Sequence, residues 1–215
     1  DLHKAIRRQR QMCIRDSKCT KYGFDFVITQ YGTLYSYLLF YVNGVNYSSL
    51  KSFGVPYVNV SRGGSCFIGE KFVVRNGYKY SVTGDNRPTK IIVARGGRLV
   101  IGKNVGITSS AIVAWNSIII GDNVRIGGGC QIFDTDFHSL NFKLRLSDTD
   151  FLATRTQPVC ISDNVFIGAH SLILKGVTIG ENSIIGAGSV VTHDIPSNQI
   201  WAGNPAKYIR EIIDE

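Results

Sequence analysis

The 215 residues allow one domain or a domain with appendages, and at 44% hydrophobic and 19% charged they can bury a full core. The formal charge of +8 is local: residues 1–21 carry seven Lys and Arg against Asp1 and Asp16, a net +5, which leaves +3 for the other 194 residues. The body therefore shows no basic patch that would point to nucleic acid.

Residues 1–17 begin at Asp1 and contain Met12-Cys-Ile-Arg-Asp-Ser17, a run that resembles an adapter-translation scar. A non-native or disordered arm is expected there, and it is set aside from the fold argument. Cys13, Cys19, Cys66, Cys130 and Cys160 are odd in number and form no C-x-x-C pair. They read as reduced cysteines of a cytoplasmic protein, not as a disulfide frame or zinc site. The most apolar run, Phe24 to Val42, is interrupted by Asp25, Thr29, Gln30, Gly32, Thr33 and Ser36. A bilayer span takes about 20 mostly apolar residues, so this is no convincing span.

Residues 18–65 are expected to form a capping segment, with a short helix within Leu34–Tyr41 (LYSYLLFY). Such a helix could close the open first turn of a solenoid or rest on a membrane surface as a peripheral contact. Its polar face lacks Lys and Arg, which favours the cap.

The rest of the chain is organised by a period of six. Ile161 to Pro196 reads ISDNVF, IGAHSL, ILKGVT, IGENSI, IGAGSV, VTHDIP, with an aliphatic residue opening every block. Neither a helix nor a half-buried strand has this period. A solenoid has it when each hexad supplies a short strand and a corner and three hexads make a turn. A β-sandwich does not repeat its strands at one fixed spacing. The pattern starts weakly at Ile68, is lost over residues 76–90, and resumes at Ile101, Ile107, Val113, Ile120, Ile126 and Ile132. One residue too many between Val113 and Ile120 predicts a bulge at the Ala114–Ser117 corner. The coil is thus expected over 66–204. Ile132 to Ile161 is no multiple of six, so the chain must leave the coil over residues 133–155. A terminal helix is expected over 205–215, with Pro205 at its first position.

The excursion opens Phe133-Asp134-Thr135-Asp136-Phe137-His138-Ser139-Leu140. Histidine is the usual side chain for lifting a proton from a hydroxyl or amine near neutral pH. Asp134 and Asp136 are candidates to fix its tautomer.

IGENSIIGAGSVVTHDIP followed by WAGNPAKYIREI resembles the hexapeptide-repeat acyltransferases of the left-handed parallel β-helix fold. The galactoside, maltose and nodulation-type acetyltransferases and the capsule or colanic-acid O-acetyltransferases are the groups it is most like. The resemblance covers roughly residues 68–212 and implies an all-β solenoid working as a homotrimer, with acetyl-CoA in the groove between coils. It implies acetyl transfer to a sugar hydroxyl in surface-polysaccharide synthesis, by direct attack on the thioester and without a metal. By the same resemblance His138 is the general base and the Ala169 N–H steadies the oxyanion. Cofactor contacts fall on Phe166, Gly168, Ala169, Gly186, Ala187, Thr192, Lys207 and Arg210. Acceptor contacts fall near Thr108, Ser109 or Ser110. The position after Thr192 is often lysine in the family and is His193 here, which shifts the phosphate contact toward Lys207 and Arg210.

Four other readings stay open on the sequence. An N-acetyltransferase acting on an amino sugar has the same fold. The coil also serves zinc enzymes, which need three histidines on one metal, and His3, His138, His170 and His193 are far apart in sequence. Asp134-Thr-Asp136 resembles the D-x-D of sugar-nucleotide transferases, although no βαβ pattern surrounds it. A non-catalytic assembly module is the remaining reading.

Overall fold

The computed structural model describes residue 27 and residues 29–213. The N-terminal arm, residues 1–17, lies outside the described residues.

From Asn46 to Ala202 the chain advances through three sheets, and neighbouring strands in each sheet pair in parallel, one turn apart. The first sheet takes Asn46–Tyr47, Ser65–Ile68, Arg98–Ile101, Ser117–Ile120, Val159–Ile161 and Thr178–Ile179. The second takes Leu50–Phe53, Phe72–Arg75, Gly106–Thr108, Arg125–Ile126, Phe166–Ile167, Ile184–Ile185, Gln199–Ala202 and Lys207–Glu211. The third takes Tyr57–Val60, Lys90–Val93, Ala111–Ala114, Gln131–Phe133, Leu172–Ile173 and Val190–Val191.

The aliphatic hexad positions become three buried columns. Ile101, Ile120, Ile161 and Ile179 stack on the first sheet; Ile107, Ile126, Ile167 and Ile185 on the second. On the third sheet Ile112 precedes Ile132, Ile173 and Val191. Each such side chain is worth about 1.5–3 kcal/mol of burial. Val113, the expected hexad position, instead pairs with Phe133, one place further along the strand. The irregularity is thus shared out: the chain is one residue short before Ile112 and two long before Ile120. The surplus forms the Trp115–Asn116 corner.

A second column runs along the corner between the first and second sheets. Asn104, Asn123, Asn164, Asn182 and Asn198 all sit at positive φ, between 55° and 62°. Asparagine visits that region with less strain than most residues. Each of the first four donates its side-chain amide to the next asparagine's carbonyl oxygen, at 2.8–3.0 Å. The ladder ties consecutive turns together outside the core.

The coil begins earlier than Cys66. Its first turn hides from a six-residue search because Ser52 stands over Val74 and Tyr47 over Ile68, where later turns place aliphatic residues. A helix over residues 29–42 lies against that turn. Thr33 Oγ1 donates to Ser52 O at 3.1 Å and accepts from Ser52 N at 3.0 Å; the Tyr37 hydroxyl does the same with Leu50, at 3.2 and 3.3 Å. Side chains thereby satisfy the backbone of a strand edge that would otherwise be open. The opposite helix face leaves Tyr31, Leu34, Leu38, Tyr41 and Val42 exposed. Among the described residues no helix is long and apolar enough to cross a membrane.

The expected C-terminal helix is a strand. Lys207–Glu211 runs antiparallel to Gln199–Ala202, and the turn between them uses Gly203 at φ 103°. Pro205 falls inside this turn and does not open a helix. The unpaired edge of Gln199–Ala202 offers backbone partners that an isolated five-residue helix lacks, and Tyr208 packs edge-on against Trp201 at 6.3 Å.

Candidate active site

The excursion leaves the third sheet after Phe133 and is closed at its neck. Thr135 bridges Thr156 antiparallel, Asp136 N donates to Arg155 O at 3.1 Å, and Gln157 N donates to Asp134 O at 2.9 Å. Residues 137–154 are held out on this stem. Phe137 sits at φ 63°, a conformation that costs a bulky residue about 1–3 kcal/mol and needs surrounding support. The support is aromatic: Phe133 and Trp115 meet its ring edge-on at 5.0 and 5.9 Å. The strained residue immediately precedes His138, whose side chain is exposed.

His138 Nδ1 lies 2.6 Å from Asp150 Oδ2, and Asp150 Oδ1 accepts the Ser139 N–H at 2.7 Å. The hydrogen bond from His138, then the Ser139 N–H, holds the Asp150 carboxyl below its ordinary value. A carboxylate can only accept, so Nδ1 carries the proton, and in the neutral imidazole Nε2 is the nitrogen with the free lone pair. The imidazole is 68% exposed and Asp150 only 17%, an arrangement that fixes a base and leaves it open to a ligand.

This overturns the expected partner. Asp134 is fully buried and accepts Trp115 N at 2.7 Å and Asn116 N at 2.8 Å, bracing the long corner. Burial pushes its pKa up, and the N–H groups of Trp115, Asn116 and Ser117 oppose that rise. Asp136 pairs with Lys175 Nζ at 2.8 Å. Both carboxylates are engaged toward the coil, which leaves the imidazole to Asp150 across the loop. His170 Nε2 lies 3.9 Å from Asp85 and His193 Nδ1 lies 2.7 Å from the Thr192 hydroxyl, so three histidines have three separate partners.

Of the residues expected to hold the acetyl donor, Phe166, Gly168, Ala169, Gly186, Ala187, Lys207 and Arg210 fall on the second sheet and the corners that follow its strands, whereas Thr192 follows Val190–Val191 on the third. Phe166 is half exposed. The Ala169 N–H has no acceptor among the described residues, as an oxyanion donor requires. Lys207 and Arg210 stand exposed on the last strand, with the Arg210 guanidinium donating to Glu211 O at 3.2 Å. The glycines have a further reason: a Cβ on Gly168 would lie 2.5 Å from Ala187 N, and one on Gly186 2.7 Å from Ala202 Cβ. Coil stacking alone requires them.

The expected acceptor residues divide at one corner. Thr108 borders a hollow on the second sheet. Ser110 is a brace, its one hydroxyl proton within reach of both Thr108 O and Gly127 O while its oxygen accepts from Cys130 N. Ser109 is buried at φ 42° with no hydrogen-bond partner for its hydroxyl. Sequence reasoning missed Asp150 and Phe137, neither of which carries a local signal. It also passed over the asparagine ladder, which does carry one, an Asn at the fourth place of ISDN, IGEN, IGDN and IGKN.

Residues 161–193 match the family Bacterial transferase hexapeptide (six repeats), and residues 98–133 match Hexapeptide repeat of succinyl-transferase. The chain is similar to galactoside O-acetyltransferase of Escherichia coli, 42% identical over 120 residues, covering 55% of this chain and 57% of that one. It is also similar to a hexapeptide-repeat acetyltransferase from Vibrio cholerae, with 34% identity, a TM-score of 0.50, and 54% and 64% of the two chains covered. An N-acyltransferase from Bacillus cereus, solved with dTDP and 3-hydroxybutyryl-CoA, shares the fold over 80% of this chain and 86% of its own, at a TM-score of 0.63 and 18% identity. The chain spans about half the length of the curated relatives it matches.

Proposed function

We propose that this protein is an acetyl-CoA-dependent O-acetyltransferase that acts on a sugar hydroxyl in surface-polysaccharide synthesis. In this reading the coil is a left-handed β-helix that works as a homotrimer. The observation that carries it is the His138–Asp150 pair, an exposed imidazole with a fixed tautomer at the mouth of a loop on a hexapeptide coil.

The acetyl donor supplies a thioester carbonyl, and this chain's residues do the rest. His138 Nε2 accepts the proton of the acceptor hydroxyl as its oxygen bonds to the carbonyl carbon. The Ala169 N–H steadies the charge growing on the carbonyl oxygen. As the C–S bond breaks, the proton passes from Nε2 to the departing sulfur. Asp150 holds Nδ1–H throughout and keeps the imidazolium in place. Lys207 and Arg210 suit the phosphates of the donor. His138 leaves the third sheet whereas Phe166, Lys207 and Arg210 stand on the second, so a neighbouring coil would bring the two halves together, which is the case for a trimer.

The test is thiol release from acetyl-CoA with a panel of sugar and amino-sugar acceptors, measured on protein of defined oligomeric state. Acceptor-dependent release that is lost in His138→Ala supports the reading. Equal release by the variant, or transfer by a monodisperse monomer, sinks the base or the trimer respectively. A preference for amino sugars would make the reaction N-acetylation.

A further inference from the structure

The second sheet is a track with a direction. Lys207 and Arg210 stand on its last strand, and Phe166 stands three strands away in hydrogen-bonded order. At about 4.8 Å per strand this is roughly 14 Å. If the donor lies along this face with its phosphates at the last strand, its thioester end points toward Phe166 and beyond. Just beyond Phe166, on the same sheet, the surface sinks into a hollow of about 230 Å³. Gly106 and Gly127 in its lining contribute no side chain, and Arg75, Asn104, Thr108, Arg125 and Phe166 border it.

The charges around this hollow are of one sign. Arg75 lies over the Phe53 ring at 5.2 Å, and Arg125 is pinned by Asn104, donating to its main-chain carbonyl and, at 3.2 Å, to its side-chain oxygen. Neither guanidinium has a carboxylate within 4.0 Å among the described residues. Two like charges held at one concavity are relieved by an anion, and guanidinium groups are suited to bind carboxylate or phosphate through paired hydrogen bonds. Thr108 adds a hydroxyl that suits a sugar hydroxyl, and the half-exposed Phe166 ring offers an apolar face for the carbon side of a sugar.

We infer that this hollow is the acceptor subsite and that it selects an acceptor carrying a negative charge, as the carboxylate of an acidic sugar or the phosphate of a sugar phosphate. The inference rests on the transferase reading above. His138 does not border the hollow, so the base acting on its occupant comes from a neighbouring copy.

The experiment compares the wild-type protein with Arg75→Ala, Arg125→Lys and the Arg75→Ala/Arg125→Ala double variant. Calorimetry measures CoA binding. Transfer kinetics use matched acceptors: galactose, galacturonic acid, and galactose linked to uridine diphosphate. Thermal unfolding confirms that each variant is folded. The wild type is expected to favour one of the charged acceptors over galactose by kcat/KM. The double variant should lower that preference about tenfold to a hundredfold, with CoA affinity unchanged within twofold and Arg125→Lys in between. Galacturonic acid and the nucleotide sugar distinguish carboxylate from phosphate. A fall in CoA affinity that parallels the loss of transfer would overturn the inference, because the guanidinium groups would then hold the donor. Preference for galactose, unaltered in the variants, would overturn it as well. Failure of the wild type to bind CoA would instead remove the transferase reading, and the acceptor subsite with it.

Discussion

His138 Nδ1 and Asp150 Oδ2 are 2.6 Å apart although they stand twelve positions apart in sequence, and both belong to the loop that leaves the coil. The carboxylate is anchored a second time by Ser139 N, and Ser139 O in turn accepts from Arg145 Nη1 at 2.9 Å. The imidazole is therefore held by a loop that is folded on itself, while its other nitrogen stays open.

On the proposed mechanism, removing the His138 imidazole should cost kcat and spare the donor. Positioned general bases contribute about 10²–10⁴-fold, so His138→Ala should lose roughly that much in kcat with CoA affinity nearly unchanged. Asp150→Asn should lose less than His138→Ala but more than Asp136→Asn, whose carboxylate faces Lys175. The Asp150 carboxyl is depressed in the fold, so its contribution to loop stability is complete above the unfolded carboxylate value, about 3.9. It is lost as pH falls through the lower folded value. Hydrogen exchange of the Ser139 amide against pH reads this directly, and constant protection down to the most acidic folded conditions would count against it.

Asp134→Asn should lower stability without touching the base. An amide presents one acceptor oxygen where Trp115 N and Asn116 N need two, and a stranded buried donor costs about 1–3 kcal/mol. The melting temperature should fall by several degrees. A variant as stable as wild type but with kcat reduced as in Asp150→Asn would restore Asp134 as the partner of His138.

The asparagine ladder should be sensitive to a residue that refuses positive φ. Asn164→Val loses two ladder hydrogen bonds and meets a left-handed backbone that costs roughly 1–2 kcal/mol for an ordinary residue. Asn164→Gly keeps the backbone and should recover the strain part. Denaturant unfolding of the two variants separates them, and equal midpoints would mean that the backbone carries no strain there.

Burial raises the Cys66 thiol to about 12 and the Cys130 thiol to about 11, from an ordinary value of 9.0. Neither should react with iodoacetamide at pH 8 in the folded protein. The partly exposed Cys160 should react first among these three, as mass spectrometry of labelled peptides would show. Because both folded values are raised, the two thiols contribute full stability below about pH 9 and lose it progressively up to pH 11–12. Stability that stays level from pH 9 to 11 would contradict the burial argument.

Lys207→Ala and Arg210→Ala should weaken CoA binding and affect dephospho-CoA less, with both affinities measured by calorimetry. These side chains stand exposed on an edge strand, so the substitutions should leave the fold intact. The same loss for both ligands would show that neither residue holds the 3′-phosphate.

The six-residue period by itself determined the coil, because an inward column needs one aliphatic residue per hexad and little else supplies that spacing. It also announced the excursion, since 29 residues from Ile132 to Ile161 cannot be hexads. The period was silent at both ends. The first turn fills inward places with Tyr47 and Ser52, and Lys207–Glu211 becomes a strand because the neighbouring edge of Gln199–Ala202 offers it partners. The residues at the mouth of the loop were legible as His138, Asp134 and Asp136, but their pairing was not. Proximity in sequence suggested Asp134 or Asp136. Only the tertiary structure decided for Asp150, because the corner N–H groups and Lys175 claim the two nearer carboxylates, and the loop folds back across twelve residues to supply the third.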